Sequence, residues 1–317
     1  MTGRPVVGAS VDIGSNSVHL LVAAVEGHHL EPLVDESVFL GLGDALHDGG
    51  PLGASGRAGL VGALVRYADM ARAHGARPDA ISFIGTEPLR RAADAARIVH
   101  EVVAASRVPL HVLSHEEEAY LTLVGVTEGR PVTHETLVVD IGGGSSEFAV
   151  VGPERPAFAA GLRLGSARLT SRFVRTDPPT TGELDAVRQA ASEIMAHAPD
   201  MHPTELVGVG GTASNLVKVH PIARLDRMLS RSRIADIQDI LASEPADAAS
   251  ARHLVNPIRA RLLPAGGAIV DAILERYGLD RMRVSNASLR EGTILAVQHA
   301  GPAWRDHLPD LARGWRT

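Results

Sequence analysis

Two stretches of the chain carry the same hydrophobic pattern. From Thr136 an apolar run reaches Asp140-Ile141. Gly142, Gly143 and Gly144 follow, then Ser145-Ser146-Glu147, and Phe148 to Val151 leaves as a second apolar run. Near the start, Val6 to Val11 leads into Asp12-Ile13-Gly14-Ser15-Asn16-Ser17, and Val18 to Val22 leaves in the same way. Runs rich in β-branched residues on both sides of small turn residues predict two strands joined by a tight hairpin. Asp12 and Asp140 stand 128 residues apart, which is a repeat on the scale of half the chain and not a solenoid period.

Between and beyond the hairpins the period alternates between strand and helix. Residues 35–53, with Gly41-Leu42-Gly43 and Gly49-Gly50, read as a loop and turn region. Leu60, Ala63, Leu64, Tyr67, Ala68 and Ala71 recur at helical spacing, predicting a helix over 55–74 that stops at Gly75. Residues 80–85 read as a buried strand, followed by a helix from Thr86 to about Ser106 with Thr86 as its N-cap and Pro88 in its first turn. Val108 to Leu113 is a strand that delivers Ser114-His115-Glu116-Glu117-Glu118 to a helix start. In the second half, 162–170 ends a strand and begins a helix, 176–179 is a break, and 183–198 is a helix. Leu206 to Val209 feeds the turn Gly210-Gly211-Thr212. Residues 252–275 read as mostly helical with a turn at Pro264 to Gly267, then a strand over 281–285 and a closing helix. The alternation throughout argues for an α/β fold.

Composition narrows the classes. The 317 residues suffice for two domains, and 45% hydrophobic with 21% charged residues is the balance of a globular chain. Aromatic residues make up 3%, which supplies base stacking poorly, and a net charge of −6 argues against a nucleic-acid binder. The absence of cysteine removes disulfides, thiolate metal sites and cysteine nucleophiles. No leader-like segment or membrane span is expected, so a cytoplasmic location is expected by elimination.

The hairpins suggest their own chemistry. Glycines let backbone N–H groups approach an anion without Cβ obstruction. Asp140 at a strand end and Glu147 on the return strand bring two carboxylates to one mouth, a combination suited to phosphate with a divalent cation. Taken alone, each is also what an ordinary glycine-rich hairpin looks like. Arg90, just beyond a strand end, is placed to reach an oxyanion, as a surface arginine would also be. The acids at 116–118 favour the positive end of a helix, or one of them serves as a general base.

The ordered set Asp12-Ile13-Gly14-Ser15-Asn16-Ser17, Thr86-Glu87-Pro88-Leu89-Arg90, Ser114 to Ala119, Asp140 to Glu147, Leu162 to Gly165, Gly208 to Thr212 and Leu289 to Gly292 resembles the exopolyphosphatase / guanosine pentaphosphate phosphohydrolase (Ppx/GppA) family, short form. The resemblance implies two ribonuclease-H-like domains of the actin, Hsp70 and sugar-kinase superfamily around a central cleft. The domains expected are 1–122 with 302–317, and 123–301. It implies Glu118 as the catalytic Glu, and Asp140 and Glu147 as the acids that hold Mg²⁺ (or Mn²⁺) and help orient water. Gly142, Gly143, Gly144 and Ser145 match its phosphate loop, as do Asp12, Gly14, Ser15 and Asn16 on the other hairpin. Arg90 matches its phosphate-gripping Arg, and Gly210, Gly211 and Thr212 match a third turn.

The activity implied is release of terminal orthophosphate from inorganic polyphosphate by water attack. Alternatives are removal of the 5′ γ-phosphate of guanosine pentaphosphate, phosphoryl transfer to an acceptor, or non-catalytic sensing of guanosine tetra- or pentaphosphate. A homodimer is expected from the resemblance only. His115 stands where the family has Gly, Pro88 where it has a small residue, and Asp94 where Asn is common. His115 reads as a loop substitution. His111 and His115 are assigned no zinc, because a strand breaks their helical spacing. Glu116 and Glu117 read as solvated or helix N-terminal charges, Arg163, Arg168, Arg259 and Arg261 as a polyanion path or as surface ion pairs, and Trp304 and Trp315 as packing residues.

Overall fold

The computed structural model describes residues 6–46, 49–154 and 157–316. Residues 47 and 48 of the expected loop and Thr317 of the terminal segment lie outside them. The chain is mixed α/β with two sheets, and forms two compact units, residues 1–132 with 287–317, and 133–286.

The first unit's sheet has the order β3-β2-β1-β4-β5. β1 (Val6–Ile13), β2 (Ser17–Glu26) and β3 (His29–Phe39) form an antiparallel meander, and β4 (Ile81–Gly85) and β5 (Leu110–Val112) add parallel to β1. Alternation along β1 sends Ala9, Val11 and Ile13 into a core shared with Leu60 and Leu64 of α2 (Ala54–Ala73). The other face carries Gly8, where a Cβ would lie 2.7 Å from Ile294 of α14 (Leu289–Ala300). That register puts Asp12 on the face toward α14. α14 in turn crosses α5 (His115–Thr127) at backbone contact. A Cβ on Gly292 would lie 1.8 Å from the Leu121 carbonyl oxygen, and one on Gly125 would lie 2.0 Å from that of Ser288. This crossing keeps all of α5 and α14 in the first unit, whereas the expected boundary at 122/123 would cut α5.

The second unit repeats the plan with an added strand: β10-β11-β9-β6-β7-β8. β6 (Thr136–Ile141), β7 (Ser146–Val151) and β8 (Phe158–Leu162) are the antiparallel meander. β9 (Glu205–Val209) and β11 (Arg281–Val284) extend it in parallel, and β10 (Met228–Ser230) closes the edge. Leu137, Val139, Ile141, Phe148 and Val150 share a core with α7 (Thr181–Met195), α8 (Gly210–Val219) and α13 (Leu263–Arg276).

Four local expectations change. Residues 35–39 belong to β3, not a loop; the strand is a polar edge on which only every fourth residue is half-buried, so no apolar alternation marks it. The helix from 86 is two, α3 (Glu87–Arg91) and α4 (Ala95–Ser106). Ala92 is extended there, and Asp94 turns to accept the Leu52 N–H at 2.9 Å and Arg57 at 3.1 Å. Thr86 stands at the N-cap position but donates its hydroxyl to the Ile13 carbonyl at 3.0 Å instead of capping. Pro264 to Gly267 is not a turn but the buried start of α13; a Cβ on Gly266 would lie 2.4 Å from Thr212 Cγ2. The short helices α9 (Pro221–Asp226), α11 (Ala246–His253) and α12 (Pro257–Ala260), with α10 (Arg231–Ser243), fill the stretch to α13. Trp304 is buried edge-on to His111 at 5.3 Å, and Trp315 stacks between His28 and His299.

Candidate active site

In the first unit the candidate residues collect at the C-terminal ends of β1, β4 and β5. The β1–β2 turn is closed by the Gly14 N–H donating to the Ser17 carbonyl at 3.1 Å. The Ser15 hydroxyl donates to Glu87 at 2.8 Å, and the Asn16 carbonyl accepts the N–H groups of Leu40 and Gly41, both at 2.9 Å. Asp12, at the end of β1, is half-buried, and its Oδ1 is buried without a hydrogen-bond partner. Burial pushes its carboxyl up to about 6, against the pull of the Arg290 and Arg90 guanidinium charges.

Arg90 and Glu118 are brought together. Arg90 sits in α3 beyond β4, and Glu118 in the first turn of α5, which a Ser114–Glu117 capping box starts. Nη1 of Arg90 donates to Glu118 Oε2 at 2.6 Å and to the Leu113 carbonyl at 3.0 Å, while Nη2 meets His115 Nδ1 at 3.2 Å. The pair is largely shielded from water, so the charge-assisted bond fixes the carboxylate firmly. His115 therefore shares in orienting Arg90. Of the two expected readings of Glu117 the helix N-terminal one holds: it closes the capping box with Ser114 and also pairs with Arg305, which holds its carboxyl below the usual range against the opposing effect of burial.

In the second unit Asp140 and Glu147 are direct cross-strand partners across β6–β7. Like charges facing one another in that register destabilise a sheet unless something offsets them. The turn between them is braced from several sides. The Gly142 N–H donates to the Ser145 carbonyl at 3.0 Å, and the Ser145 hydroxyl donates to Glu147 at 2.7 Å. Arg168 donates through its backbone to the Gly143 carbonyl at 3.0 Å and through Nε to the Gly144 carbonyl at 2.8 Å. A Cβ on Gly165 would lie 2.3 Å from the Gly143 oxygen, so the loop rests on a glycine that cannot be enlarged.

The third turn joins this hairpin. Gly210 has φ +84°, and a Cβ there would lie 2.1 Å from Asp140 Oδ1. Only glycine meets both requirements. Thr212 shares a hydrogen bond with Ser166 at 3.1 Å, and a Cβ on Gly211 would lie 1.9 Å from Arg259 Nη1. Sequence reasoning gave no role to Arg290, although it lies in the Leu289 to Gly292 motif; its Nη1 donates to Asp35 at 2.6 Å and to the Leu20 carbonyl at 3.2 Å. Ser166 was likewise unassigned, and Arg168 braces the glycine loop.

Residues 21–300 match the Ppx/GppA phosphatase family. The chain belongs to this family. An uncharacterized protein of Streptomyces coelicolor is 30% identical over 310 residues, covering 93% of this chain and 91% of that protein. Exopolyphosphatase 1 of Mycobacterium tuberculosis is 26% identical over 307 residues, covering 90% and 86%. The structure of the Aquifex aeolicus member of the Ppx/GppA family superposes with a TM-score of 0.81 at 24% identity, covering 92% of this chain and 97% of that one. An exopolyphosphatase structure from Cytophaga hutchinsonii gives 0.78 at 21%, covering 91% and 97%. These likenesses agree with the mixed α/β, two-sheet fold, and no described helix is long and apolar enough to cross a membrane.

Proposed function

We propose that this Ppx/GppA chain is a divalent-cation-dependent exopolyphosphatase that releases orthophosphate from the end of inorganic polyphosphate. The observation that carries the reading is the Asp140–Glu147 pair, two carboxylates held opposite one another on a braced glycine turn. Their hard oxygen donors fit Mg²⁺ or Mn²⁺, and the close approach of Gly210 to Asp140 keeps that carboxylate's surroundings open. A bound cation would neutralise phosphate oxygens and relieve the repulsion between the two acids.

The remaining steps fall to the chain's own side chains. Glu118 accepts the proton of the attacking water, with Arg90 fixing its orientation. When phosphate enters, Arg90 also offers N–H groups to its oxygens. The N–H groups of Gly143 and Gly144, with the turns at Ser15 to Asn16 and Gly210 to Thr212, supply donors for the charge that spreads during transfer, while the Gly142 N–H and the Ser145 hydroxyl brace the loop. The name of the Mycobacterium tuberculosis relative supports polyphosphate as the substrate class.

The test is orthophosphate release from long polyphosphate, tripolyphosphate and guanosine pentaphosphate, each with and without Mg²⁺. Cation-dependent release from polyphosphate is expected. Release from guanosine pentaphosphate alone would make the chain a nucleotide phosphohydrolase, and tight binding of that nucleotide without release would make it a sensor.

A further inference from the structure

Lys218 is the only lysine in the chain, and it stands in the last turn of α8. Its ammonium donates to Asn215 Oδ1 at 2.9 Å, and Asn215 Nδ2 donates to the Gly211 carbonyl at 2.7 Å. Positions 211, 215 and 218 share one helix face, so a polar ladder climbs from the third glycine turn toward Lys218. Seven residues of helix rise about 10 Å. Arg259 lies against Gly211 at the foot of the ladder.

Arg224 in α9 and Arg227 just after it complete the group. Arg227 Nε donates to the Val284 carbonyl at 3.0 Å, while its Nη2 is buried with no partner. Burial holds the Lys218 ammonium below its ordinary pKa, and the charges of Arg259, Arg224 and Arg227 add to the effect. Among the described residues none of the four cations is in an ion pair. The C-termini of α8 and α9 favour Lys218 and Arg224 individually. They do not explain four gathered cations whose neighbouring acid, Asp226, is taken up by Arg233 at 2.8 Å, an arrangement that an anion would stabilise.

We propose that Lys218, Arg224 and Arg227, with Arg259 at their inner end, form a distal subsite for the phosphate groups of a linear polyphosphate that extend past the third glycine turn. It rests on the reading of the chain as a polyphosphate hydrolase. A row of cations suits a ligand with one charge per repeating phosphate, and a short oligophosphate ends before reaching it.

The test compares wild type with the double variant Lys218→Gln, Arg224→Gln, both side chains being exposed. Binding of long-chain polyphosphate and of tripolyphosphate is measured in EDTA, and KM for each with Mg²⁺. The variant is expected to bind the long chain about tenfold more weakly, with a shallower salt dependence. Its binding and turnover of tripolyphosphate should be unchanged. The charge-preserving pair Lys218→Arg, Arg224→Lys should restore long-chain affinity. Long-chain binding and KM like wild type in the double variant, or an equal loss on tripolyphosphate, would overturn the subsite. A selective loss of long-chain binding in a protein that hydrolyses no polyphosphate would uphold the subsite and overturn the hydrolase reading.

Discussion

Asp12→Asn should make the protein more stable at neutral pH while impairing the site. Asp12 sits at the end of β1 on the face toward α14, with one carboxylate oxygen buried and unpartnered. Its carboxyl rises from 3.8 to about 6 because burial outweighs the pull of Arg290 and Arg90. A raised acid contributes stability that is whole below pH 3.8 and is lost as pH climbs through about 6. At about 1.4 kcal/mol per pH unit, the ionised carboxylate costs the folded state about 3 kcal/mol above pH 7. Asparagine keeps the shape and removes that cost. Urea denaturation at pH 8 should show the variant about 3 kcal/mol more stable, with a melting temperature higher by about 6–12 °C. Near pH 4 the two proteins should converge. A variant no more stable than wild type at pH 8, or a difference of the same size at both pH values, would refute the assignment of a strained carboxylate. Phosphate release by the variant is expected to fall, as for other sites where stability is given up for function.

Glu118→Gln leaves the Arg90 contact a hydrogen-bonding partner but removes the base; kcat for polyphosphate is expected to drop about 10²–10⁴-fold with circular dichroism unchanged. Gly210→Ala forces a Cβ onto Asp140 and a left-handed backbone onto alanine, costing about 1–2 kcal/mol in backbone strain alone. Its Mg²⁺ requirement should shift to higher concentration, which a Mg²⁺ titration of phosphate release measures. Adding Mg²⁺ to EDTA-treated protein should raise its melting temperature, with stabilisation of about 3 kcal/mol at a hundredfold excess over Kd. The Glu147→Gln protein, having lost the cross-strand repulsion, should gain much less.

The hairpins were legible because both faces of the pattern are simple: apolar residues run into an acid, and small residues turn the chain. Thr86 and Pro88 announced a helix start, but nothing local showed that Asp94 would be drawn to Leu52 and Arg57 and end the helix early. Gly266 and Gly267 were misread because glycine is a breaker in isolation. Here Gly266 is small because Thr212 occupies the space that a side chain would need. β3 escaped notice because an edge strand facing water has no buried stripe to betray it. At the site, the acids and glycines identify themselves by type. Arg168, Ser166 and Arg290 do not, since each acts through hydrogen bonds to residues between 24 and 270 positions away. Such partners are set by topology.

The two copies of the hairpin divide the chemistry between them. Both close with a glycine N–H donating across the turn to a serine carbonyl, Gly14 to Ser17 and Gly142 to Ser145. Both place an aspartate one residue before the last position of the leading strand. The residue directly opposite that aspartate differs: His19 faces Asp12, whereas Glu147 faces Asp140. Opposing carboxylates repel and call for a cation, while Asp12 instead feels the charges of Arg290 and Arg90. In the proposed mechanism the same strand–turn–strand frame holds a divalent ion in the second unit. In the first the aspartate lies in the field of two arginines. If the cross-strand residue sets the charge each turn prefers, exchanging it by His19→Glu should create a second cation-dependent stabilisation, visible as a steeper rise of melting temperature with Mg²⁺.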